Sequence, residues 1–201
     1  MKIGILGTGK VGNILAGAWQ NVGHEVTLGS RDPGAKQLGF EVQSLPDCVT
    51  GADVVVNAIL GSVALGTISS LDPELFAGKT LVDVTNATTP QLELTYADSS
   101  LAARLQAALP KAHVVKSMNH LAMTVVTNPS SVPASTIFLS GDSPEAKEET
   151  ASLVRDLGWP QESIMDLGGI DTARGPEHHI VLFFMLVGMF KEERFNIHVV
   201  R

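Results

Sequence analysis

A chain of 201 residues that is 44% apolar and 17% charged can bury roughly 70% of its unfolded surface, which excludes a disordered polymer. Its 21 acidic and 14 basic residues leave a net charge of −7, against a general nucleic-acid or anionic-membrane binder, since both need a basic surface. Cys48 is the only cysteine, so there is no intrachain disulfide and no cysteine zinc cluster, and a reducing cytoplasm is the expected setting.

Short β-branched runs alternate with amphipathic stretches from the start. This is the pattern of an α/β fold, a Rossmann-like doubly wound and mostly parallel sheet with helices on both faces and a small C-terminal helical portion. Lys2–Leu6 reads as the first strand and runs into a glycine loop, so this end reads as structure rather than as an export signal. Val11, Ile14, Leu15, Ala18, Trp19 and Val22 recur at helical spacing, and Gly23 ends that helix. Strands are expected over 25–29, 39–43, 53–60, 80–85, 114–118, 136–140 and 164–166, and helices over 63–71, 99–109 and 143–157. Asp171 and Arg174 are expected to form an ion pair in a polar turn. Pro176 then opens an apolar helix through Phe190, and 195–200 reads as extended. The run from Ile180 to Phe190 is shorter than the roughly 20 residues that span hydrocarbon. With no repeat and no linker, residues 1–201 are expected to form a single domain, with 171–201 as its C-terminal helix and tail.

The loop Gly7-Thr8-Gly9-Lys10-Val11-Gly12 lies directly between the first strand and the first helix, the context that makes a glycine motif informative. Gly7 permits a tight turn, Gly9 lets the backbone approach a pyrophosphate, and Gly12 lets the helix pack on the strand. The helix N-terminus adds unpaired N–H donors and positive potential, so an anionic dinucleotide is the expected guest. At the end of the second strand stand Ser30 and Arg31, a hydroxyl and a guanidinium suited to a 2′-phosphate, and NADP is favoured over NAD. Asp32 beside them leaves a ribose contact open. Thr8 and Lys36 are auxiliary phosphate candidates.

Ligands of open α/β sheets bind outside the carboxyl ends of the strands. Leu60 and Gly61 follow the fourth strand, Asn86 and Ala87 the fifth, and Asn119 and His120 the sixth. Apolar side chains of the first loop are expected to hold a nicotinamide ring and Asn86 its carboxamide. His120 is the acid–base candidate by position, with a merely lining histidine as the alternative. His178 and His179 point about 100° apart on a helix and cannot readily chelate one metal ion. Cys48 reads as a packed small side chain.

The ordered set of the glycine loop, Gly29-Ser30-Arg31, the 114–119 strand end, Gly141-Asp142, Asp166-Leu167-Gly168, Ala173-Arg174 and Glu177 resembles the coenzyme F420-dependent NADP oxidoreductase family over nearly the full length. The resemblance implies a Rossmann-like homodimer passing hydride directly between NADP(H) and a stacked deazaflavin, with small-molecule redox partners only. By position it implies Gly9, Lys10, Val11, Ser30 and Arg31 on the NADP site, and Leu60, Gly61, Asn86 and Ala87 on the nicotinamide side. The strand end from Lys116 to His120 is similar to the branch that includes the cytosolic reductase domains of six-transmembrane ferric reductases, which implies a flavin such as FMN or FAD instead. Reduction of a small imine or carbonyl, with His120 or Lys116 as proton donor, and NADPH sensing without turnover are the competing functions. For the dimer, the Ile180 to Phe190 stretch, apolar on more than one side, is the expected contact.

Overall fold

The computed structural model describes residues 1–34 and 39–200. In chain order the elements are β1 (Lys2–Leu6), α1 (Lys10–Asn21), β2 (Glu25–Ser30), β3 (Glu41–Ser44), α2 (Leu45–Gly51), β4 (Val54–Asn57), α3 (Gly61–Ser69) and β5 (Thr80–Asp83). There follow α4 (Leu101–Ala108), β6 (His113–Ser117), α5 (Met123–Val126), β7 (Ile137–Gly141), α6 (Pro144–Asp156), β8 (Ile164–Asp166) and α7 (Arg174–Phe190). The strands form one sheet in the order β3-β2-β1-β4-β5-β6-β7-β8, parallel except where β7 runs against β6. The order reverses beside β1, which has β2 on one side and β4 on the other, so the carboxyl ends of β1 and β4 open a crevice there.

Alternation along the strands divides the core in two. Ile3, Ile5, Val54, Val56 and Val82 face Leu15, Trp19 and Val154, while Leu6, Val55, Leu81 and Val114 face Cys48, Ala64, Ile68 and Leu105. Each fully buried Val, Leu or Ile contributes about 1.5–3 kcal/mol. The buried Trp19 also donates its indole N–H to the Leu153 carbonyl at 3.1 Å, tying α1 to α6.

Several boundaries differ from the sequence expectation for local reasons. The fourth strand stops at Asn57, not at residue 60, because the Asn57 side chain accepts the Ile59 N–H at 3.1 Å and turns the chain. The seven residues of α2 are too few to show a helical period, yet Ser44 caps them by accepting the Asp47 N–H and Pro46 sits in the first turn. The short α5 was likewise not expected. Residues 170–173 form a 3₁₀ turn that runs into α7, which starts at Arg174 rather than Pro176. Arg174 reaches His178 at 3.5 Å and forms no ion pair with Asp171. The tail forms no strand; its Ile197 carbonyl accepts the Thr136 N–H and its Val199 N–H donates to the Thr136 hydroxyl.

Candidate functional site

The glycine loop is held from both sides. Gly7 has φ +120° and donates its N–H to the Gly29 carbonyl at 2.9 Å, while the Asn13 amide donates to the Thr8 and Gly9 carbonyls. No side chain caps α1, so its first N–H groups face the crevice, and a Cβ built on Gly9 would meet nothing within 4 Å. Both features fit an anionic ligand approaching the backbone.

Two cavities meet over this loop. One, of about 590 Å³, is lined by Gly7, Thr8, Ser30, Arg31 and Asp32 among others. The second, of about 450 Å³, is lined by Lys10, Val11, Asn86, Asn119 and Phe183 among others. Gly9, Ala58, Ile59 and Leu60 belong to both, so they form one continuous trough across the carboxyl ends of β1 and β4. Arg31 is exposed, and the Ser30 hydroxyl exchanges hydrogen bonds with the backbone of Asp32. One end of the trough is therefore polar with a guanidinium. The other is apolar, walled by Ile14, Leu121, Met123, Ile180, Phe183 and Phe184.

The structure brings together Gly7, Thr8, Gly9, Lys10, Val11, Ser30, Arg31, Leu60, Gly61, Asn86 and Asn119 on this trough. Gly12 lies beneath it, and Lys36 lies outside the described residues. Ala87 does not line it: its side chain is buried in the core and its carbonyl accepts the Thr95 N–H. The Asn86 and Asn119 side chains are engaged with one another. Asn86 donates to the Asn119 carbonyl at 2.6 Å and Asn119 donates to Asn86 Oδ1 at 2.8 Å, which clamps the β5 and β6 loops. Asn119 directly follows Met118, which is held at φ +58° after the end of β6.

His120 is not at the rim where position along the chain put it. It is buried between Phe138 and His179, its Nε2 3.3 Å from the Thr136 carbonyl, and burial pushes it down to about 4. The turn at Met118 sends Asn119 toward the trough and His120 away from it. Lys116, the other proton-donor candidate, is likewise fully buried and does not line the trough. Burial alone would lower its pKa, but the Asp83 and Glu177 carboxylates at 2.8 Å more than offset this and raise it. Sequence reasoning missed this buried group. The usable signal was a lysine and an aspartate inside the apolar runs of 114–118 and 81–84, since central strands cannot bury a charge unpaired.

A doubly wound sheet with a glycine-loop trough at its switch point defines a dinucleotide-binding protein. Residues 2–87 match the family described as NADP oxidoreductase, coenzyme F420-dependent. The chain is 33% identical to a candidate F420-dependent NADP-reductase of Arthrobacter sp. FB24, covering 100% of both chains with a TM-score of 0.94. It therefore belongs to the coenzyme F420-dependent NADP oxidoreductase family and is an NADP-dependent oxidoreductase. It is also 29% identical over 180 residues to metalloreductase STEAP3 of Rattus norvegicus, covering 88% of this chain and only 36% of that relative's length. A reductive aminase of Aspergillus terreus, solved with NADPH and ethyl levulinate, shares the fold at 22% identity, TM-score 0.69, over 94% of this chain and 62% of the other. Among the described residues no helix is long and apolar enough to cross a membrane.

Proposed function

We propose that the protein passes hydride between NADPH and a flat deazaflavin or flavin ring, both held in the one trough. The observation that carries this reading is the trough itself: a polar end at Ser30 and Arg31, a glycine loop in the middle and an apolar end. On this reading Arg31 and Ser30 hold the 2′-phosphate, and the N–H groups of the loop and the start of α1 hold the pyrophosphate, with Lys10 beside them. When bound, the nicotinamide supplies the two-electron chemistry. The chain's own contribution is alignment: Ile59 and Leu60 cover one side of a ring laid along the β4 loop, while Phe183 and Phe184 close the apolar end and exclude water. The Asn86–Asn119 clamp keeps the β5 and β6 loops at a fixed spacing below it.

Support for this acceptor class is the STEAP3 and Arthrobacter sp. likenesses together with the apolar walls. Reduction of an imine or carbonyl is disfavoured by the burial of both proton donors considered, His120 and Lys116. We take residues 1–201 as one domain working in the cytoplasm, where the buried Cys48 thiol, pushed up to about 12 by burial, stays inert. We take it further as a homodimer seated on α7, where Leu182, Met185, Met189 and Phe190 leave an exposed apolar face. The deciding experiment offers NADPH with F420, FMN, FAD and simple imines or carbonyls in parallel. Oxidation with a deazaflavin or flavin is expected; turnover confined to imines or carbonyls would replace this reading, and binding with no turnover would leave an NADPH sensor.

A further inference from the structure

Lys116 stands on β6 and does not itself line the trough, yet the hydrogen bonds of its side chain lead toward the trough's walls. Its Nζ donates to Asp83 Oδ2 at 2.8 Å, to the Thr85 carbonyl, and to Glu177 Oε1 at 2.8 Å, so three N–H groups meet three acceptors. Asp83 Oδ1 accepts in turn from the Thr85 hydroxyl and the Asn57 amide, each at 2.8 Å, and from the Thr85 N–H at 3.3 Å. Asn57 passes the chain of contacts to the Ile59 N–H. Glu177 lies in the first turn of α7, and its two oxygens also accept the Leu101 and Ala102 N–H groups at the start of α4.

The three segments so joined are the loop after β4, the loop after β5, and the helix that carries Ile180, Phe183 and Phe184. All three line the apolar end of the trough. We propose that Lys116, with Asp83 and Glu177, is a positioning group that fixes these three walls relative to one another and so sets the geometry of the ring-binding end. The proposal rests on the NADPH reading above. Its physical basis is that two carboxylates and one ammonium are all desolvated here, and none can move without leaving a buried charge unpaired. The α4 N–H groups offset part of the surplus negative charge. A shift of any one wall would therefore break the hub, and the walls hold a common arrangement. Among the described residues no hydrogen bond of the hub goes to the glycine loop, Ser30 or Arg31; the hub meets the polar cavity through Asn57 and Ile59, at the wall both cavities share, so the 2′-phosphate end is tied to it less closely than the ring end.

That difference separates positioning from bulk stability. The test uses Glu177→Gln, which leaves Lys116 paired with Asp83, and the charge-neutral triple variant Asp83→Asn/Lys116→Met/Glu177→Gln. Calorimetry with adenosine 2′,5′-bisphosphate reads the phosphate end. The fluorescence of bound NADPH and the split between kcat and KM, with an acceptor the native protein turns over, read the ring end. The bisphosphate Kd is expected to stay within about twofold, while kcat falls on the order of ten- to a hundredfold, as for a small misplacement of reacting groups. The nicotinamide fluorescence is expected to move toward that of free NADPH. Parallel losses at both ends, no change at the ring end, or failure of both variants to fold would each overturn the proposal and leave the hub a stability element. Native protein that takes up neither ligand would instead overturn the cofactor reading, and the proposal with it.

Discussion

A methyl group placed on Gly12 would stand 2.2 Å from the carbonyl oxygen of Gly7. The first turn of α1 thus lies directly against the turn that leaves β1, and the glycine loop has its shape because nothing but hydrogen fits between them. Gly9, two residues along from Gly7, has open space where its side chain would be.

These two glycines should respond differently to the same change. Gly12→Ala must displace backbone and is expected to destabilise the fold by about 1–3 kcal/mol and to lose NADPH affinity as well. Gly9→Ala should keep its melting temperature, within about 0.5 kcal/mol of native stability, and lose affinity alone, because its methyl group occupies ligand space. Thermal denaturation alongside calorimetry decides it. Equal destabilisation by both variants would contradict the assignment of Gly9 to the ligand.

Among the described residues Arg31 supplies the only guanidinium lining the polar cavity. Arg31→Ala is expected to weaken NADPH binding by about 1–3 kcal/mol, the range for a charge-assisted hydrogen bond, and to leave NADH nearly unchanged. The measurement is a pair of titrations per protein, and equal losses for the two nucleotides would refute the 2′-phosphate role.

His120 predicts a pH dependence of stability with a definite sign. Burial pushes its pKa down from 6.5 to about 4, so between these values the unfolded chain holds a proton that the folded chain does not. Stability from this group is complete above about 6.5 and is lost as pH falls toward 4, by roughly 3 kcal/mol in all. The neighbouring His179 is also pushed down by burial and acts in the same direction. Urea unfolding from pH 7 down to pH 4 should show the loss, and His120→Gln should flatten it; an unchanged slope in that variant would remove His120 as the source.

The exposed apolar side chains of α7 include Leu182, Met185 and Met189, spaced as neighbours on one helical face. If a second copy covers them, Met185→Glu with Met189→Glu should convert a sedimenting dimer into a monomer that keeps its circular dichroism. Native protein that sediments as a monomer at micromolar concentration would end the dimer reading.

The fold was legible where periodicity was strong. The helix after residues 2–6 carries a helical period, the short apolar runs of β1, β4 and β5 are too brief and too β-branched for a helix, and the glycine spacing marks the loop on which the trough is built. Less was legible at the carboxyl ends of the strands, where side-chain direction turns on one or two dihedral angles. Position alone could not tell Asn119, on the trough, from His120, in the core, because the left-handed Met118 separates them and methionine carries no turn signature. Lys116, Asp83 and Glu177 are far apart in the chain, and only the folded sheet and α7 bring them together. Phe183 and Phe184 read simply as core or contact residues, since nothing local says that α7 folds back over the crevice.

The wall that Ile59 and Leu60 share between the two cavities has a stereochemical consequence. A nicotinamide lying along it shows one face to the protein and the other to the acceptor, although the reactive carbon bears a hydrogen on each. On the function proposed above, only one of those two hydrogens is delivered. Cofactor carrying deuterium on the open face should hand over the label, and cofactor labelled on the covered face should keep it.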